Sequence, residues 1–190
     1  MTIGNHPAWS AESSPSRGIA PPGFRLPAGT RLGRVSLPVA DLDRSLAYYQ
    51  KVIGLKLLRR APESAMLGTG DHESALLELH VRPGARSVPR RGRLGLFHFA
   101  LLLPDRAALG RFVAHLASLG IHPGMSDHLV SEATYLNDPD GLGIEVYADR
   151  PREAWRYDGG QIAMATEPLD VTDLLRASLG FEAWAEPRAQ

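Results

Sequence analysis

Residues 131–147 read SEATYLNDPDGLGIEVY, and this stretch decides the fold. Asp138-Pro139-Asp140-Gly141 is a tight turn, with Pro suited to its second position and Gly to its last. Ile144, Val146 and the β-favouring Tyr147 follow as a strand in which Glu145 alternates against apolar neighbours. Strand side chains alternate between faces, so Glu145 and Tyr147 share one face while Ile144 and Val146 take the other. A carboxylate beside aromatic and apolar groups needs a partner if it is buried.

Upstream, Leu94 to Leu103 (LGLFHFALLL) reads as an apolar, central strand carrying His98. Asp105 then caps a helix to about Leu119, with Leu109, Phe112, Val113 and Leu116 inward and Gly120 as its stop. Ile121 to Val130 and Ala133 to Asn137 are further strands. The same order occurs earlier in the chain. A strand over 32–39 places Val35, Leu37 and Val39 on one face, with Pro38 marking an edge or an end. Asp41 caps a helix to about Ile53 with Leu42, Leu46, Tyr49 and Ile53 on its apolar side, and Gly54 stops it. Three β-like runs follow over 55–60, 64–68 and 74–81, with Gly70-Asp71 as the turn between the last two. Arg34 aligns with His98 and Asp41 with Asp105, each 64 positions on; Gly54 aligns with Gly120 at 66, and Glu78 with Glu145 at 67. A slowly growing offset is what two copies with small loop insertions give. The expected fold class is therefore α+β, with two βαβββ modules (32–81 and 94–149) forming curved mixed β-sheets.

Outside the repeat, residues 1–31 are rich in Pro, Ser and Gly and read as an arm or linker, and 82–93 (RPGARSVPRRGR) as a solvated connector. The tail, 150–190, contains a candidate short strand at Ile162 to Ala165 and a helix after Asp170 or Thr172 that runs to Gly180. Trp155, Phe181 and Trp184 suggest that the tail packs on the domain or on another chain.

The bulk numbers narrow the function. The 190 residues carry 21 basic and 21 acidic side chains, so no nucleic-acid or anionic-membrane partner is implied. There is no cysteine, so a metal would have to use His, Asp, Glu, Tyr or water. No apolar run reaches the ~18 residues of a membrane span, and no leader pattern opens the chain, so a cytoplasmic protein is expected.

The two modules, the VADLDRSLAYY stretch (39–49) and the DPDG…E stretch (138–145) resemble the vicinal oxygen chelate superfamily of glyoxalases, bleomycin-resistance proteins and extradiol dioxygenases. Residues 97–110, 126–155 and 164–175 are similar to the first half of bacterial catechol 2,3-dioxygenase-like proteins. That resemblance implies His98 and Glu145 as metal ligands, Tyr135 as an active-site tyrosine and His128, in HLVSEA, as an acid–base histidine. The spacing from His128 to Tyr135 is shorter than in some relatives. Two histidines and one carboxylate suit Fe(II), with Mn, Zn or Ni as alternatives. The usual third ligand falls at Arg34, which stays protonated and cannot ligate. Glu78 or His80 could serve instead, or a histidine from the second pair of modules that longer relatives carry after residue 180. Three readings stay open. One is an extradiol dioxygenase acting on an aromatic diol or a similar small chelating substrate. Another is a glyoxalase-type lyase or isomerase that uses Glu78. The third is a metal-free binding module in which Arg34 pairs with Glu78 or Glu145. A homodimer is expected in all three.

Overall fold

The computed structural model describes residues 23, 26–69, 75–86 and 95–180. Most of the expected arm, the Gly70-Asp71 turn, His72, most of the basic connector, Phe181 and Trp184 lie outside the described residues. The first module runs β1 (Val35–Val39), α1 (Leu42–Tyr48), β2 (Lys56–Ala61), β3 (Ser64–Gly68) and β4 (Leu77–Val81). The second runs β5 (His98–Leu102), α2 (Arg106–Ser118), β6 (Gly124–Asp127), β7 (Ser131–Asn137) and β8 (Gly143–Asp149). Each module forms a four-stranded mixed sheet, in the orders β1-β4-β3-β2 and β5-β8-β7-β6. The fold is thus α+β and duplicated, as the repeat predicts.

Local chemistry sets the boundaries. Asp41 accepts from Arg44 N at 2.9 Å and Asp105 from Ala108 N at 2.7 Å, so each helix begins on an aspartate cap. After Tyr48 the first helix widens into π-type turns over Tyr49–Ile53, and Gly54 closes it at φ 85°, a left-handed value that costs glycine little. In the β7–β8 turn, Asp138 Oδ1 accepts from the backbone N–H groups of Asp140 (2.9 Å) and Leu142 (2.8 Å).

The structure corrects three strands of the sequence reading, one of them the tail strand expected at Ile162 to Ala165, which forms over Gln161–Ile162. The apolar run around His98 forms an edge strand, paired among the described residues with β8 alone. Phe99 is its deeply buried residue, while Leu102 and the adjacent Phe97 are exposed. The strand expected over 121–130 is only four residues long, because the chain turns back at 128–131. There His128 N donates to Ser131 O at 2.8 Å, and Leu129 takes the left-handed φ of 67°.

A single apolar core joins both modules. Leu37, Val39 and Leu79 from the first meet Phe99, Phe112, Ile144 and Val146 from the second. Side chains of this size contribute roughly 1.5–3 kcal/mol each when fully buried. Tyr49 crosses between the modules: its ring lies 6.5 Å from Phe99, and its hydroxyl donates to Asp138 Oδ2 at 3.0 Å. Asp140 adds an ion pair to Arg44 and accepts from Ala40 N at 3.0 Å. The end of β1 is thereby fixed beside the start of β8, which sets the site-bearing strands in place.

Candidate active site

Glu145 and Tyr147 face away from the core, while Ile144, Val146 and Ala148 are buried on the other side of β8. β5 runs parallel to β8 with Ala100 opposite Glu145, so His98 lies one diagonal step from the carboxylate. His98 Nε2 is 3.1 Å from Glu145 Oε2. On the other side β7 is antiparallel, with Tyr135 directly opposite Glu145, and the Tyr135 hydroxyl donates to Glu145 Oε1 at 3.0 Å. The turn before β7 brings His128 Nε2 to 2.7 Å from the same hydroxyl. His128 Nδ1 lies 2.7 Å from the carbonyl oxygen of Ala165. Four of the five expected site residues therefore form one continuous line, His128–Tyr135–Glu145–His98.

A count of hydrogens shows what this line can do. A carbonyl oxygen only accepts, so His128 Nδ1 carries a proton. Tyr135 has one proton and two neighbours. If it donates to Glu145, His128 Nε2 must donate to the phenol oxygen. If it donates to His128, the Glu145 carboxyl must carry a proton. The two arrangements hold the same number of hydrogens and differ by a shift along the line. Burial first, then the hydrogen bond and charge of Glu145, push the Tyr135 phenol up to about 12, so it stays protonated as a relay at neutral pH.

The His98–Glu145 contact also bears on metal binding. Two donors each ~2.1 Å from one ion at right angles lie about 3.0 Å apart. The observed 3.1 Å fits one edge of such a shell. His98 Nδ1 is buried without a hydrogen-bond partner among the described residues, so no second group there fixes its tautomer. No cluster of three His, Asp or Glu side chains suited to a metal occurs among the described residues. Glu78, the fifth candidate, is not brought into such a cluster; its Oε2 accepts from Arg34 Nε at 2.9 Å. His80 Nδ1 lies 3.4 Å from Ser36 Oγ. The first module repeats the geometry of the second: Ser36 faces Glu78 as Ala100 faces Glu145, and Arg34 and His98 each lie two residues earlier. His98 and Glu145 thus stand as two candidate ligands, with the Arg34 cation at the position matched to the third.

Sequence reasoning misses the groups behind His128. Asp127 is ion-paired to Arg150 at 2.5 Å. Arg150 and Arg106 converge on Glu132, whose side chain is 4% exposed. A buried carboxylate needs such pairing, and a lone Glu in an apolar strand was the only signal of it.

Comparison with known proteins agrees with this architecture. Residues 31–146 match the family model described as the glyoxalase/bleomycin resistance protein/dioxygenase superfamily. The chain is 47% identical over 147 residues to the catechol-2,3-dioxygenase of Bacillus subtilis (strain 168), covering 77% of this chain and 51% of that one. It therefore spans about half the length of that relative. It is 33% identical over 124 residues to the lactoylglutathione lyase of Salmonella typhimurium, covering 61% of this chain and 90% of that one. A glyoxalase/dioxygenase crystal structure from Nostoc punctiforme superposes with a TM-score of 0.52 at 20% identity, over 68% of this chain and 99% of the other, which bears on the fold alone.

Proposed function

The chain belongs to the glyoxalase/bleomycin resistance protein/dioxygenase superfamily, and from that premise we propose that it is a ring-cleaving dioxygenase of extradiol type, acting on an aromatic diol with a divalent ion, Fe(II) first. The observation that carries this reading is the hydrogen-bonded line His128–Tyr135–Glu145. A lyase or binding module has no evident need for a histidine joined to the candidate metal carboxylate through a phenol. The similarity to a catechol-2,3-dioxygenase supports the same choice.

Extradiol cleavage inserts both atoms of O₂ and opens the ring beside the diol, so a proton taken from a hydroxyl has to be given back. His128 suits that task, since an imidazole works as base and acid near neutral pH. Tyr135 holds the proton path to Glu145 and offers its hydroxyl to an anionic oxygen of the substrate. His98 and Glu145 would hold the ion, which when bound supplies a Lewis-acidic meeting point for diol and dioxygen. Further ligands would come from water, substrate or a second chain, and a homodimer is part of the proposal. Among the described residues no helix is long and apolar enough to cross a membrane.

The test is metal analysis of the purified protein, followed by anaerobic loading with Fe(II) and measurement of O₂ uptake and ring-opened product with catechol. Uptake that depends on Tyr135 and His128 is expected. Protein that binds Fe(II) or Mn(II) and leaves catechol and substituted catechols untouched would overturn the reading. The Arg34–Glu78 pair favours a second reading, a metal-free module that binds small molecules. A divalent ion bound through His98 and Glu145 would remove it.

A further inference from the structure

We propose that the chain beyond the family domain is a strap whose Ala165 carbonyl positions His128, making residues 163–177 part of the active site. The inference rests on the acid–base role given to His128 above. The family match ends at residue 146. The chain then leaves β8, makes the short hairpin β9 (Tyr157–Asp158) and β10 (Gln161–Ile162), and returns beside the end of β6. Glu167 N donates to Asp127 O and Asp127 N to Glu167 O, both at 2.9 Å. This bridge sets Ala165 over His128, where its carbonyl receives Nδ1–H at 2.7 Å. The strap is anchored a few residues on by α3 (Val171–Ala177), capped by Asp170 and docked on α2. Leu174 is fully buried. The docking is close enough that a Cβ at Gly110 would lie 2.6 Å from the carbonyl oxygen of Leu174. Arg106 ties the same helix through Asp173 at 3.0 Å.

His128 needs this support because its own turn makes no bond to the ring, and Tyr135, which meets Nε2, can either donate or accept there and so does not fix the tautomer. The backbone of that turn is held by Ser131 O and by Asp127 Oδ1, which accepts from Leu129 N at 2.8 Å. Neither bond touches the imidazole. A neutral imidazole can carry its proton on either nitrogen, and the hydrogen bond at one nitrogen decides the state of the other. An acceptor at Nδ1 keeps the proton there and leaves Nε2 as the atom that exchanges hydrogen with Tyr135. Without the strap, a neutral His128 can put its proton on Nε2, which leaves its basic lone pair on Nδ1, away from Tyr135. Ala165 is therefore a positioning residue that acts through His128.

The test uses the full chain without added metal. ¹⁵N NMR of the histidine rings is recorded for the wild type, for Glu167→Pro, which removes the N–H given to Asp127, and for Gly110→Val, which displaces α3. The wild type is expected to hold a proton on His128 Nδ1 in both arrangements of the line, whether or not Nε2 carries one too, and both variants to show neutral rings protonated on Nε2 alone while the β7–β8 amide signals stay in place. A wild type protonated on Nε2 alone, or a folded Glu167→Pro with an unchanged His128 signature, overturns the proposal. The wild-type measurement decides the matter if a variant fails to fold. Turnover separates this inference from the functional reading. Roughly tenfold lower kcat at unchanged KM is expected in Glu167→Pro. A changed tautomer with equal turnover would leave the strap in place and remove the catalytic role of His128.

Discussion

Gly143 is the position where backbone packing and the candidate site meet, and Gly143→Ala perturbs both at once. Gly143 is the first residue of β8 and pairs with His98. A Cβ there would lie 2.8 Å from the Phe97 carbonyl oxygen and 2.9 Å from His98 Cβ. Moving the closer contact out to the 3.4 Å of ordinary contact needs a displacement of about 0.6 Å. One neighbour is backbone and the other a Cβ, so no flexible side-chain end can absorb the change. The start of β5 has to swing away from β8 and carry His98 with it. Two consequences follow. Overpacking of this kind costs about 1–3 kcal/mol, and the melting temperature falls by roughly 2–4 °C per kcal/mol in a chain of this size. The 3.1 Å contact between His98 and Glu145 opens, and affinity for Fe(II) or Mn(II) drops by about 10- to 100-fold, the range met when a group that orients a metal ligand is disturbed. Gly124→Ala is the control, since its Cβ would sit 3.5 Å from Tyr135 Cβ, an ordinary contact on the same sheet. Differential scanning calorimetry and chelator-competition titration read both effects. If Gly143→Ala melts and binds metal as Gly124→Ala does, the close approach of β5 to β8 is not what sets His98 against Glu145.

Other outcomes follow from the same geometry. Arg34→His frees Glu78 from its ion pair and places a neutral nitrogen donor at the matched position. A rise of at least about tenfold in affinity for Fe(II) or Mn(II) is expected, and unchanged affinity in competition titration would mean that the two first strands do not serve one cup. Tyr135→Phe removes the hydroxyl between His128 and Glu145; turnover should fall by about 10²- to 10⁴-fold, with stability changed by no more than about 1 kcal/mol by denaturant unfolding. Tyr49→Phe removes the donor to buried Asp138 and should cost about 1.5–3 kcal/mol in the same assay. Burial first, then the charge of Asp138, raises the Tyr49 phenol above its ordinary range. Its contribution is therefore complete below the unfolded value of about 10 and is lost as pH rises past it. Wild-type stability should decline more steeply than that of Tyr49→Phe above roughly pH 10, and parallel curves would exclude Tyr49 as the source.

What could be read in advance was whatever alternation and repetition encode. Alternation in β8 separated Glu145 and Tyr147 from the core, and the repeat offset matched His98 with Arg34 before either had a partner. The edge position of β5 was hidden, because an unbroken apolar run says that a strand is covered without saying by what. The contact between His128 and Tyr135 was hidden as well. Their short spacing works because Leu129 adopts a left-handed conformation that lets β6 turn back onto β7. The Ala165 carbonyl was invisible for a deeper reason: every residue has one, so a backbone acceptor leaves no mark in a sequence.

The internal repeat also provides a comparison within one molecule. Both modules place a nitrogen-bearing side chain against a carboxylate across the same diagonal, at 2.9 Å for Arg34–Glu78 and 3.1 Å for His98–Glu145. The strand registers are the same, so the two sites differ in the side chain and not in the scaffold. A guanidinium can only donate, whereas an imidazole donates or accepts according to its protonation. The first module therefore shows the second with its coordinating capacity removed and its charge pairing retained. It follows that the fold tolerates either chemistry at this diagonal. Under the proposed function, metal binding would depend on His98 in a position where the architecture accepts either chemistry, and Arg34→His tests that statement directly.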